Sequence, residues 1–422
     1  MKQHKLRKSK RPVGLGRSNL LGRLLLPENG FFVFLTAIAI VYCAVPLSVA
    51  LVMPGLASFI LLAALSAMSI LAMWVGNRVT LLDRCFLSKT KRLRISKNAL
   101  ISSIWLLFTL FMIITFATAP TVPLFSALAG ADASEVSQQR GDFLKAREGL
   151  EAALIYISTF VTTFVPYTII ILYEQHSKFR HLSVIIFVLY AISFMAKSIF
   201  LYVGLPILVF LAIKRRFSTK VFLYLAACSL LLLIGLTYLS FRGGTATESG
   251  AGFFTAQYIP SSPLSYFVWR SVSVPIFTAA DTLLVHKEQF GGDMLMGATS
   301  SFIAGLVGME KINLERFVFE YQFGSWNTIA NSNAVFITDA FVNFGWIGVI
   351  FLSVIVGQIF RWFRLSKDVA FRAQWINFAF LLFSASFIGT LLSNWWAVML
   401  AYALFIKINY THINFKQNAS NR

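Results

Sequence analysis

Charge is what this sequence has least of. Only 13% of its 422 residues are Asp, Glu, Lys or Arg, about half of the roughly 25% usual in soluble proteins. Acids are the scarcer sign, with 17 Asp and Glu against 37 Lys and Arg. So few charges exclude a soluble enzyme and a disordered chain, both of which need polar surface. Cysteine is scarce too. Cys43 and Cys228 sit in apolar runs, Cys85 sits in a basic loop, and no CxxC spacing occurs. That excludes a secreted disulfide scaffold and a thiolate metal site. Also absent are the Walker loop, GxGxxG, HExxH, GxSxG and a DxD pair, so the common nucleotide, zinc-hydrolase and serine-hydrolase sites have no sequence basis. No internal repeat or low-complexity tract stands out.

Hydrophobic residues make up 57% of the chain and aromatics 15%, including 42 Phe. Several apolar runs reach the roughly 20 residues that cross a bilayer as a helix. They are not the ~10-residue alternating segments of an outer-membrane barrel. The sequence therefore predicts an all-α, polytopic membrane bundle. The net charge of +20 is spread over short loops between apolar runs, as the positive-inside rule requires. It does not form one groove-tracking surface, which argues against nucleic acid as a partner.

Lys and Arg placement orients the chain. Residues 1–30 form a basic inner segment, and the run at 31–53 is too long for a signal-peptide core, so it reads as a retained first span. Further spans fall at 56–75, 99–119, 152–173, 221–240, 335–360, 375–392 and 395–406. The stretch 182–213 is long for one helix and short for two. Reading it as two short spans turning at Lys197 keeps the basic loop 214–220 inside and spares a lysine from mid-membrane. The expectation is ten spans in a membrane domain covering 31–406, with a tail at 407–422 and both ends inside. Two long segments, 120–150 and 241–332, lie outside. Most of the acids fall on that outer side.

Chemistry needs polar side chains, and the two outer segments hold them. Of the five His, only His286 is outside, so a histidine metal site is not expected and no cofactor is implied. Arg140, Arg242, Arg270 and Lys197 are the candidate cations for an anionic substrate, because guanidinium forks match phosphate oxygens. Arg242 precedes Gly243-Gly244, where backbone can approach a ligand. Arg270 lies in the apolar, aromatic stretch Tyr266-Phe-Val-Trp-Arg. Asp281, Glu320 and Asp339 are candidate bases. Asp339 is first among them, as an acid in the apolar run 335–349, and Glu320 is second. Asn331, Asn333 and Asn343 can hold the hydroxyls of a polar substrate, and Tyr321 can stack on a ring face. Gly345 and Gly348 read as a close helix-packing pair.

The stretch Asn331–Gly348, an Asn-rich lead-in followed by an acid-bearing helix and Asn343-Phe-Gly-x-x-Gly348, resembles the late motif of Wzy-type polymerases, the bacterial O-antigen repeat-unit polymerases. Pro123-Leu-Phe with Arg140-Gly and Phe143, the hairpin Lys197, and Arg270 with Pro275 five residues on resemble the same family. These patches are scattered over about half of the chain. The family's paired Arg-x10-Gly elements do not transfer, since residue 151 is Glu and residue 281 is Asp. The resemblance implies a GT-C-like helical fold in the bacterial inner membrane, with 120–150 and 241–332 periplasmic. It implies polymerisation of undecaprenyl-diphosphate-linked oligosaccharide, which is both donor and acceptor. It needs no metal and brings membrane lipid, a chain-length regulator and a flippase as partners. Two other readings stand beside it. One is an O-antigen ligase using His286, although Leu284-Val-His-Lys-Glu288 does not look like that family's motif. The other is a lipid-linked oligosaccharide flippase or transporter.

Overall fold

The computed structural model describes residues 20–52, 57–80, 83, 93–144, 147–195, 201–241, 252–325 and 330–409. Its main helices are α1 (Pro27–Val52), α2 (Ala57–Arg78), α3 (Lys97–Thr118), α4 (Ala133–Leu144), α5 (Gly149–Glu174), α6 (Arg180–Ser193) and α7 (Leu201–Ile213). They continue with α8 (Thr219–Phe241), α9 (Pro263–Gln289), α10 (Leu314–Phe323), α11 (Phe336–Leu365), α12 (Val369–Leu382), α13 (Phe387–Leu392) and α14 (Trp396–Phe405). Two short strands, Leu93–Ser96 and Ile406–Asn409, pair in parallel. Among the described residues, six helices are long and apolar enough to cross a membrane: α1, α2, α3, α5, α9 and α11. Large apolar side chains on α3, such as Leu106 and Ile113, point outward, a face suited to lipid rather than water.

Charged pairs collect at one end of the bundle. Lys97 at the start of α3 and Lys214 after α7 both reach Glu174 at the end of α5, at 3.5 and 3.3 Å. Arg361 grips Asp83 at 2.5 Å, and Arg372 pairs with Glu28. Glu174 precedes α6 and Lys214 follows α7. The stretch 182–213 is therefore two helices that leave and return at the same basic end. Lys197, at the turn expected between them, lies outside the described residues.

Helices α2 and α11 pack most intimately. Ser69 meets Ser353 at 2.7 Å, and Arg361 meets Asp83, so both helices run the same way. The approach is close enough that a Cβ on Gly76 would lie 2.2 Å from the carbonyl oxygen of Val354, and one on Gly357 2.2 Å from that of Met73. Small residues permit such contact in membrane bundles. The centre is aromatic: Phe34, Phe360, Phe363, Phe378 and Trp396 form one ring-on-ring cluster.

Three expectations are corrected here. The segment 241–332 contains α9, a long and largely apolar helix, and 61% of its most apolar window is buried against 22% for α3. It is an interior helix of the bundle, not a polar connection. The expected span 375–392 is broken into α12 and α13, with Ser386 capping α13, while the turn expected between 392 and 395 is present, with Trp395 in left-handed backbone before α14. The third correction concerns α11, which is two arms. Gly345 breaks it with φ 62° and ψ −158°. Phe336 and Phe360 would be about 36 Å apart on a straight helix, yet both rings pack on Phe34, at 6.4 and 4.8 Å between centroids. Gly348 is pressed against Phe344 and the carbonyl of Ala340. Residues 336–344 thus run antiparallel to 346–365 as a helical hairpin. Gly345 makes the turn and Gly348 allows the arms to touch; neither packs against another helix as a pair.

Both π-helical turns, Ala39–Ala44 and Trp269–Ser273, end shortly before a proline, Pro46 and Pro275. A proline lacks the N–H for its i−4 bond and crowds that carbonyl, and a wide turn relieves the conflict. Arg270 stands in the second of these turns.

Candidate active site

A cavity of about 490 Å³ lies between the start of α5, the middle of α9, the N-terminus of α10, the first arm of α11 and α13. Broken helices make it possible. Backbone freed from helical pairing is tolerated at membrane depth only inside protein or along a polar cavity. Here the α11 hairpin and the α12–α13 break form facing walls. The loop before α10 closes the top of the short arm: Leu295 and Met296 donate their N–H groups to the carbonyls of Val342 and Asn343, at 3.0 and 2.9 Å. Those carbonyls would otherwise be unsatisfied at the helix end.

Asp339 lines this cavity and is 4% exposed. Its Oδ1 accepts from Thr299 Oγ1 and Asn343 Nδ2, each at 3.0 Å. Asn343 Nδ2 also reaches Thr299 Oγ1 and the Asp339 carbonyl, both at 2.8 Å. No described residue donates to Oδ2 or forms an ion pair with the carboxylate. One oxygen is therefore fixed by neutral donors, the other has no described donor, and burial desolvates the group. Asn343 is a positioning residue behind the cavity wall. Asn331 and Asn333 are exposed and line the same space, where their amides can both donate and accept.

The remaining predicted residues lie elsewhere. Glu320 is held by Arg316 at 2.6 Å and does not face the cavity. Helix α10 turns Glu315 and Val318 inward instead, three residues apart on one face. Tyr321 is 45% exposed on another face of α10. Burial, then the charges of Asp281 and Glu288, raise its phenol pKa. Asp281 accepts from Gln322 Nε2 at 2.7 Å in a buried polar cluster. His286 is buried, its Nε2 2.8 Å from the Asp293 carbonyl, and does not line the cavity. Arg242 lies outside the described residues, as Lys197 does.

Arg140 and Arg270 do not line the cavity either. Both their helices, α4 and α9, pack against α8. Both arginine side chains are exposed. Desolvation by surrounding protein, and then repulsion from the Arg270 guanidinium, lower the pKa of Arg140. No described carboxylate pairs with either arginine.

The sequence reading missed Lys311, Glu315, Ser386 and Asn394, all of which line the cavity. Lys311 and Glu315 carried a signal, since they flank Asn313, the N-cap of α10. Asn394 carried one as well, standing in the turn expected between 375–392 and 395–406, whereas Ser386 carried none, because only the break inside 375–392 turns it inward. Among the described residues no three His, Cys, Asp or Glu side chains gather as a metal site. Compared with known proteins, the chain matches no family model, no curated protein and no solved structure.

Proposed function

We propose that this chain is a polytopic membrane glycan polymerase of the Wzy type, with a GT-C-like topology and its cavity on the periplasmic side of the bacterial inner membrane. The observation that carries the reading is Asp339, a buried carboxylate with one free oxygen at the wall of a polar cavity large enough for sugars. Asn, Ser and Thr side chains surround it, as sugar hydroxyls require. In the reaction, a hydroxyl of the acceptor sugar attacks the anomeric carbon of the donor chain. The new C–O bond forms as the bond from that carbon to the lipid diphosphate breaks. Asp339 takes the hydroxyl proton, and the electron pair leaves with the diphosphate. Lys311, on the same cavity, meets the charge that develops there.

The test is reconstitution. Purified chain in lipid nanodiscs with a synthetic undecaprenyl-diphosphate-linked repeat unit is expected to yield a ladder of polymer, lost in Asp339→Asn. No ladder from the unaltered chain with any lipid-linked repeat would overturn the reading. One observation favours a second reading, a lipid-linked oligosaccharide transporter: broken helices around a polar cavity are also how transporters build their sites. A transporter would move the repeat unit across vesicles without elongating it.

A further inference from the structure

This inference rests on the polymerase reading, in which the donor's diphosphate is bonded to the carbon under attack and so lies beside Asp339. The donor's polyprenyl tail begins at that diphosphate, so it has to leave the polar cavity close to the base. The loop 298–312 runs from one environment to the other. It is closed at its foot, where Ile312 donates its N–H to the carbonyl of Ala298 at 2.9 Å. Thr299, beside Ala298, donates to Asp339 Oδ1. Lys311, beside Ile312, lines the same cavity, and no described carboxylate pairs with it.

Between these two residues the chain forms a short helix, Ser301–Val307, ended by Gly308 in left-handed backbone. Its underside is pinned. Ala304 is buried, and Ile303 lies so close to Gly297 that a Cβ there would be 2.3 Å from its Cγ2. The other face is exposed and apolar, with Phe302, Leu306 one turn on, and Val307. A Cβ on Gly297 would also meet Phe344, and one on Gly345 would meet Met294. The loop therefore stands at the turn of the α11 hairpin, where the apolar arm 346–365 begins with Trp346 and Ile347 exposed. An apolar face at that level meets lipid rather than water. Phe302 belongs to both surfaces, since it lines the cavity and is exposed beside Leu306.

We propose that the loop 298–312 is a clamp for the donor's carrier lipid. Phe302 and Leu306 lie along the first isoprene units of the tail, Lys311 pairs with the diphosphate, and Thr299 keeps Asp339 in place at the sugar. Apolar tip, cation and polar cavity follow one another in the order of tail, diphosphate and glycan. A phospholipid offers the tip its chains but has no glycan for the cavity behind Lys311.

Steady-state kinetics of the full chain in nanodiscs test the tail contact. Two donors carry the same glycan on a diphosphate, one with an undecaprenyl tail and one with a straight alkyl tail of equal length. The acceptor is the same lipid-linked repeat unit throughout. The unaltered chain is expected to show a donor KM about tenfold lower for the isoprenoid, the worth of one apolar side chain covered by ligand. Phe302→Ser and Leu306→Ser should each raise the isoprenoid donor KM about tenfold and erase the preference, with acceptor KM unchanged, while Phe302→Leu should keep most of it. Both side chains are exposed, so melting temperatures should stay put. Unchanged donor KM in both serine variants, or a rise in acceptor KM alone, would overturn the proposal. A second arm requires no turnover. Sugar-free undecaprenyl diphosphate with a diazirine on its first isoprene units is expected to cross-link within 302–309, and unlabelled undecaprenyl diphosphate should compete where equimolar phosphatidylglycerol does not. Cross-links elsewhere, or equal competition by phosphatidylglycerol, would overturn the clamp and leave this face to bulk lipid. If the unaltered chain makes no polymer, the polymerase reading falls, yet a competed cross-link at 302–309 would still establish the carrier-lipid site. If polymer forms and the cross-links lie elsewhere, the clamp alone falls.

Discussion

Phe336 and Phe360 lie on what reads as one apolar helix, yet both rings rest on the single side chain of Phe34. The fold-back that brings them there depends on Gly345 at φ 62°, where a side chain is strained. Gly345→Ala is expected to cost about 1–3 kcal/mol, read as a lower melting temperature in detergent. Gly348→Val should do more, since even a Cβ there would sit 2.3 Å from Phe344 Cβ and 2.7 Å from the Ala340 carbonyl. Unchanged melting of both variants would mean that the hairpin does not form.

Asp339 and its holders should separate chemistry from packing. Asp339→Asn is nearly isosteric, so the chain should remain folded in the membrane while polymer disappears. Thr299→Ala removes one donor to Oδ1 and is expected to reduce polymerisation without abolishing it, because Asn343 still orients the carboxylate. Near-normal polymer from Asp339→Asn would leave the residue a packing role only.

Glu320 is expected to be dispensable. Its partner is Arg316, one turn away, and its side chain is 40% exposed. A pair of that kind contributes about 0–1 kcal/mol. Glu320→Gln should therefore leave both melting temperature and polymer length close to those of the unaltered chain. Loss of polymer at normal expression would return the base assignment to Glu320.

The α2–α11 crossing should tolerate no bulk. Gly357→Ala places a methyl 2.2 Å from the Met73 carbonyl, and overpacking of this kind costs about 1–3 kcal/mol. Size-exclusion profiles and thermal melts of Gly76→Ala and Gly357→Ala should both show destabilisation. If either is neutral, the helices cross at a greater distance than described here.

Glu174 and Lys214 should be reachable from one side of the membrane only. Single-cysteine variants at the two positions, probed in intact cells with an impermeant maleimide, are expected to behave alike. A label that reaches one but not the other would mean that α6 and α7 cross as one helix rather than turning back.

The sequence by itself determined the class. Scarcity of charge, long apolar runs and basic loops leave few folds other than a membrane helical bundle, because hydrocarbon accepts only backbone that pairs with itself. Asp339 was legible for the same reason, since an acid in an apolar run stands out in the composition alone. Tertiary structure decided what hydropathy averages away. Hydropathy registers how apolar a segment is and not whether it runs straight, so the reversal at Gly345 and the break between α12 and α13 were hidden in continuous apolar stretches, whereas the turn before α14 was legible. The same limit made α9 read as part of a polar connection, although its burial comes from neighbours far off in sequence. It also separated residues that the outer segments list side by side. Helix α10 turns Glu315 into the cavity and Glu320 toward Arg316, a difference of helical phase that burial of Leu314, Val318 and Phe319 fixes. The arginines were recognised as a class by their charge, but that Arg140 and Arg270 stand off the Asp339 cavity is a matter of tertiary packing, which charge does not report.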